Sequence, residues 1–183
     1  YIQTDEKADW IFPNGNLSLE MMGMAQARAW FPIDAQALEA AMMSGTFRDF
    51  ESVDTPEFKQ AVDVCIRFIT SLKSEYDRII VGGFSQGAMI STHACLEVSE
   101  LVSGLICLSG TLGRLESVNK FSFFQSHGKQ DPILPYNSAK QLFELLKLGS
   151  HQGEFISFGG AHEIPEVVLL KLQKYINTVM LKG

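Results

Sequence analysis

The sequence has few of the residues that mark several classes of protein. Its three cysteines, Cys65, Cys95 and Cys107, are an odd number with no metal-like spacing, so they supply neither a disulfide framework nor a zinc site. Cys65 and Cys95 fall in helical patterns and Cys107 in an apolar run, which predicts buried, reduced thiols and, with them, a cytoplasmic location. There is no internal repeat, low-complexity tract or linker. No apolar run approaches the roughly 18 residues of a membrane span, and no signal peptide is visible. Positive charge is also in deficit: 15 Lys and Arg stand against 21 Asp and Glu, a net charge of −6. That argues against nucleic acid and anionic membrane surfaces as partners. The remainder is an ordinary globular composition, 46% hydrophobic and 20% charged over 183 residues, enough for one domain, residues 1–183, with a sizeable core.

Short apolar, β-branched runs alternate with helical patterns. Ala8-Asp9-Trp10-Ile11-Phe12 reads as a short strand stopped by Pro13-Asn14-Gly15. Residues 17–31 hold Met21, Met22, Met24, Trp30 and Phe31, side chains that suit a ligand groove or a plain core equally well. A helix is predicted over 35–43. Another is predicted over 56–72, with Thr55 as its cap, Pro56 at its first position, and Phe58, Ala61, Val62, Cys65, Ile69 and Leu72 on one face. Strands follow at Ile79, Leu105, Phe121 and Glu154, and helices over 88–98, 138–148 (stopped by Gly149) and 165–180. Strands alternating with helices predict a mostly parallel sheet in an α/β fold.

The chain is organised around Ile79-Ile80-Val81-Gly82-Gly83-Phe84-Ser85-Gln86-Gly87. A buried strand runs into Gly-x-Ser-x-Gly and then a helix, which is the context of a nucleophile elbow. The tight turn lifts the serine hydroxyl out of the sheet, and Gly83 and Gly87 leave room for strand and helix to approach. The bland alternative is a glycine-rich turn with an incidental serine.

A serine hydroxyl needs a base, and the base an orienting acid. In open α/β sheets such groups gather at the carboxyl ends of the strands. Ser85, Asp131 and His162 each follow a predicted strand, in that chain order. The order is that of α/β hydrolases. Of the rival bases, His93 lies within a helix, His127 precedes Asp131 and is better suited to holding its loop, and His151 sits in a polar turn at the far edge. Of the rival acids, Asp77 precedes its strand, while Glu116 lacks a strand-end position.

These residues resemble the acyl-protein thioesterase and carboxylesterase family, the small lidless α/β-hydrolases. The resemblance rests on Gly82-Gly83-Phe84-Ser85-Gln86-Gly87, Leu108-Ser109-Gly110-Thr111-Leu112, His127-Gly128-Lys129-Gln130-Asp131-Pro132-Ile133-Leu134-Pro135 and Gly159-Gly160-Ala161-His162-Glu163-Ile164-Pro165, with a weaker match at Ile11-Phe12-Pro13-Asn14 and Arg28-Ala29-Trp30-Phe31. It implies an α/β-hydrolase fold, with Ser85 as nucleophile, Asp131 as acid and His162 as base. It further implies an oxyanion hole built partly from the Gln86 backbone N–H, and an acyl groove near Trp30 and Leu112. Two departures stand out. Ala88 replaces a glycine, and nothing matches the family's opening strand with its His-Gly-x-Gly loop, the second oxyanion donor. The expectation is therefore that this opening strand is missing from the chain and belongs between the Trp10 and Ile79 strands.

Two functions compete at this stage. The first is a serine hydrolase of carboxylic esters or thioesters that works through an acyl-enzyme and needs no metal or organic cofactor. The second is a non-catalytic binding protein on the same fold, which the unmatched oxyanion loop favours, since one such donor is worth roughly 3 kcal/mol. Both leave a homodimer open.

Overall fold

The computed structural model describes residues 2, 4–5, 7–20, 23, 25–44, 55–111 and 120–181. Its centre is a four-stranded parallel sheet in the order β3 (Ile80–Phe84), β4 (Gly104–Leu108), β5 (Ser122–Gly128) and β6 (Gln152–Phe158). Two short strands, β1 (Leu17–Ser18) and β2 (Arg28–Ala29), form a separate antiparallel ladder, Leu17 opposite Ala29 and Ser18 opposite Arg28. The helices are α1 (Ala35–Ser44), α2 (Pro56–Leu72), α3 (Gln86–Glu97), α4 (Tyr136–Leu148) and α5 (Glu166–Leu181).

Each strand points alternate side chains to opposite faces, and this chain supplies apolar residues for both. Leu105, Cys107 and Phe123 pack with Ala61, Val62 and Ile69 of α2, Ile90, Ala94 and Cys95 of α3, and Leu142 and Leu146 of α4. Leu108, Phe124 and Phe158 pack instead with Val168, Leu172 and Ile176 of α5. A sheet covered on both faces explains why its strands read as continuous apolar runs rather than alternating ones.

The helix over 56–72 is present as expected: the Thr55 hydroxyl accepts from the Phe58 N–H at 3.2 Å, and Phe58, Ala61, Val62 and Ile69 are buried. The next helix begins at Gln86, two residues before its predicted start, because the chain turns into it at Ser85. Gly149 closes α4, but with φ −67°; the left-handed residue of that turn is Ser150, at φ +63°.

The strand expected over Ala8–Phe12 is not formed. Trp10, Ile11 and Phe12 are 47%, 47% and 82% exposed, and the Trp10 and Phe12 rings stack on each other 6.4 Å apart. A strand persists only with a partner to take its backbone groups. Asp9 is held instead through its side chain, which accepts from the Tyr76 hydroxyl at 2.8 Å. β3 is an edge of the described sheet, paired with β4 alone, so neither a ladder to Trp10 nor a strand between the two is seen. The methionines Met21, Met22 and Met24 lie outside the described residues.

Candidate active site

Ser85 sits between β3 and α3 with φ +55° and ψ −119°, a conformation that costs an L-residue of order 1–3 kcal/mol and persists only where its surroundings enforce it. Its backbone N–H donates to the Leu108 carbonyl at 2.9 Å, which ties the elbow to the end of β4. Its side chain makes no capping bond to α3, so the helix does not take up the hydroxyl. The two motif glycines do different work. A Cβ on Gly83 would collide with the backbone of Gly87, so Gly83 must be glycine for strand and helix to meet. A Cβ on Gly87 would meet only the Trp30 indole nitrogen, at an ordinary 3.9 Å. The expectation that both glycines make room is thus corrected to Gly83 alone. Ala88 is completely buried and abuts Gly110, where an added Cβ would lie 2.6 Å from its own.

Asp131 and His162 arrive by the same device from β5 and β6. The Lys129 N–H donates to the Phe158 carbonyl and the Gln130 N–H to the Gly160 carbonyl, both at 2.9 Å. This stitches the turn after β5 to the turn after β6. A Cβ on Gly128 would strike the carbonyls of Gly160 and Ala161, so the close approach requires glycine there. The result is a direct contact: His162 Nδ1 lies 2.7 Å from Asp131 Oδ2. The other carboxylate oxygen accepts the N–H groups of Ile133 at 2.8 Å and Leu134 at 2.9 Å. Burial pushes the Asp131 carboxyl up, but the His162 hydrogen bond, the two backbone N–H groups and the imidazole charge outweigh it and hold it below the usual carboxylate range. His162 meets the elbow through Phe84, their rings 4.7 Å apart. Among the described contacts it makes no hydrogen bond to the Ser85 hydroxyl; such bonds are often long before substrate is present.

Gln86 opens α3, where backbone N–H groups have no intrahelical acceptor and the helix presents its positive end. That is the placement an oxyanion donor needs. Its side chain does something sequence reasoning missed. The amide oxygen accepts the Trp30 N–H at 3.1 Å, and the amide nitrogen donates to the Phe31 carbonyl at 2.8 Å. Trp30 is thereby fixed over the first turn of α3. The motif contained Gln86, but its two partners lie 55 and 56 positions away, beyond any local signal. Leu112, the other residue expected at the groove, lies outside the described residues, as does Glu116.

Of the remaining described rivals, all but His127 fall elsewhere. His93 packs edge-on against Phe58, ring centroids 4.8 Å apart. Asp77 sits before β3, at the opposite end from the elbow, and takes a hydrogen bond from Lys73 on its backbone carbonyl. His151, expected in a polar turn, is buried against Phe121 instead. His127, expected to hold the Asp131 loop, lies at its carboxylate, 3.3 Å from Oδ2. The three thiols are free; burial pushes Cys65 and Cys107 up to about 11 and raises Cys95 well above the usual thiol value, which leaves them protonated and unreactive. Among the described residues no trio of His, Cys, Asp or Glu is disposed to hold a metal ion, and no helix is long and apolar enough to cross a membrane.

Known proteins resemble this chain in sequence and in fold. Residues 3–180 match the family model described as phospholipase/carboxylesterase. The acyl-protein thioesterase 1 of Debaryomyces hansenii is 31% identical over 202 aligned positions, covering 99% of this chain and 80% of the relative. The enzyme of the same name from Candida albicans is 31% identical over 70% of this chain, and the match spans 63% of that relative. Among solved structures, Arabidopsis thaliana SOBER1 superposes with a TM-score of 0.74 over 94% of this chain and 84% of its own, at 20% identity, a likeness of fold.

Proposed function

The chain belongs to the phospholipase/carboxylesterase family, and from that premise we propose that Ser85, Asp131 and His162 hydrolyse carboxylic esters or thioesters of acyl substrates. The observation that carries this reading is the 2.7 Å bond between His162 Nδ1 and Asp131 Oδ2, beside the strained Ser85 elbow. With Nδ1–H committed to the carboxylate, the other ring nitrogen is left as the base.

Ser85 Oγ attacks the acyl carbon while His162 Nε2 takes its proton. The carbonyl oxygen becomes an oxyanion, which accepts the Gln86 backbone N–H. Asp131 holds the imidazolium in place. Collapse expels the alcohol or thiol with that proton and leaves an acyl-Ser85 ester. Water, deprotonated by the same nitrogen, then releases the carboxylic acid and restores the serine. Trp30, fixed over the elbow by Gln86, borders the acyl chain. The 183 residues act as one domain, the enzyme works in the cytoplasm, and no cofactor takes part. Association as a homodimer fits the exposed Val167 and Leu170 of α5; a single monomeric species in sedimentation would remove it. The non-catalytic reading is not favoured, because binding alone gives no reason to hold an aspartate, a histidine and a strained serine at one edge of a sheet.

p-Nitrophenyl esters of increasing chain length, run beside an acyl thioester and with a fluorophosphonate probe, test the reading. Turnover and labelling should both occur, with the label on Ser85, and Ser85→Ala should remove both, by a factor of ~10⁶ in kcat where a triad serine has been deleted. Labelling at another serine, or turnover surviving in the variant, would refute it.

A further inference from the structure

His127 is a buried titratable group at the centre of the site for which the reaction above has no use. Its ring is fully buried at the end of β5, four residues before Asp131. Its Nε2 lies 3.0 Å from the Leu134 carbonyl oxygen and 3.3 Å from Asp131 Oδ2. Both neighbours are acceptors, and a lone pair aimed at two oxygens would be repelled by both. Nε2 must therefore carry the ring proton. Nδ1 is buried with no hydrogen-bond partner, so a second proton there would be left without an acceptor. Burial accordingly holds this imidazole below the usual histidine value, aided by the neighbouring His162 charge and opposed by the Leu134 carbonyl and Asp131. Tyr136, its aromatic neighbour on α4, stands 6.3 Å away ring to ring.

Leu134 closes the arrangement. Its N–H donates to Asp131 Oδ1 while its carbonyl accepts from His127, whose Nε2 also lies 3.3 Å from Oδ2. The carboxylate is hydrogen-bonded at both oxygens, and Oδ2, bonded to His162, has the His127 imidazole beside it.

We propose that His127 is a positioning residue of the reaction: its neutral ring donates Nε2–H to the Leu134 carbonyl, holds the Leu134 N–H against the Asp131 carboxylate, and from 3.3 Å tempers the charge that carboxylate presents to His162. The proposal rests on the reading of Asp131 and His162 as acid and base. Without this ring the Leu134 carbonyl loses its donor and Oδ2 loses the positive edge of an N–H dipole at 3.3 Å. Its negative charge is then directed wholly at His162, which keeps its extra proton to higher pH, and the carboxylate loses a restraint on its rotation.

The test compares two substitutions. Glutamine places an amide nitrogen near the position of Nε2, whereas asparagine is too short to reach it. In His127→Asn the acidic limb of the kcat/KM profile should move to higher pH by roughly half a unit to one unit. Its kcat should fall about tenfold, the worth of one buried hydrogen bond, with KM little changed. His127→Gln should return both towards the parent. A limb that does not move in His127→Asn, or equal behaviour of the two variants, would overturn the proposal and leave a structural role only. If the Asn variant fails to fold, ¹H–¹⁵N NMR of the unsubstituted protein decides. An Nε2–H tautomer at residue 127 from pH 5.5 to 8 supports the proposal, and an Nδ1–H or doubly protonated ring overturns it. Turnover surviving in Ser85→Ala would overturn the catalytic reading instead, a result separable from the tautomer.

Discussion

The two ends of the sheet each bury a histidine, and the contrast between them separates a ring that serves charge from one that serves the backbone. At the carboxyl end, His127 donates: its Nε2–H goes to the Leu134 carbonyl, with the Asp131 carboxylate 3.3 Å from the same nitrogen. At the amino end, His151 accepts: its Nδ1 takes the Phe121 N–H at 3.2 Å, and its ring lies against the Phe121 ring at 4.1 Å. Both rings are buried and both are held below the usual histidine value chiefly by that burial. Burial and a lowered pKa therefore do not mark a functional histidine. What the ring touches does. At one end it touches the group that orients the proposed base; at the other it closes the start of two strands.

The sharpest way to break this contrast is Asp131→Asn. An amide there presents its own N–H groups, cannot anchor the His162 Nδ1–H as a carboxylate does, and turns the imidazole to the wrong tautomer. We expect kcat to fall ~10⁴-fold with the fold retained, measured on a p-nitrophenyl ester beside a thermal melt. A loss under tenfold would show that the carboxyl end is not organised around this carboxylate.

At the other end, His151→Leu should do the reverse. It leaves the Phe121 N–H buried without an acceptor, a loss of ~1–3 kcal/mol, and the melting temperature should drop by several degrees. Turnover per folded molecule should stay at the parent level. If turnover fell as it does in Asp131→Asn, the two ends would not be separable.

The smallest effect lies in the pH dependence of stability. Each histidine has a folded-state pKa below its unfolded value, so the unfolded chain binds more protons as pH falls through about 6.5. The native state therefore loses stability below that pH. Asp131, also held low, adds a further loss only as pH falls below about 4. The urea midpoint should thus be lower at pH 5.5 than at 7.5, and the difference should shrink in His151→Leu. An equal midpoint at the two pH values would mean that the buried rings already bind protons in the native state.

Ser85, Asp131 and His162 were legible because each stands within a few residues of a strand end, so local pattern and chain order placed all three at one edge. The parallel sheet was legible for a similar reason: its strands are covered on both faces and read as apolar runs. Ala8–Phe12 misled because its apolar residues satisfy strand composition, yet a strand depends on a partner that composition does not supply. His151 misled in the opposite direction. Gly149, Ser150 and Gln152 around it read as a polar turn, but tertiary packing against Phe121 buries the ring. The motif glycines are equivalent in the sequence, and only the backbone geometry tells Gly83 from Gly87.

The Gln86 amide has a consequence for how portable the elbow is. Residues 80–97 look like a cassette of strand, turn and helix that any parallel sheet might accept. Yet the side chain adjoining the nucleophile is completed by an N–H and a carbonyl that arrive from residues 30 and 31. Transplanted alone, the cassette would carry an amide with two bonds to make and no partner for either. The elbow is thus one half of a junction. The stretch between its halves, residues 32–79, matters to this amide only in that it returns Trp30 and Phe31 to it.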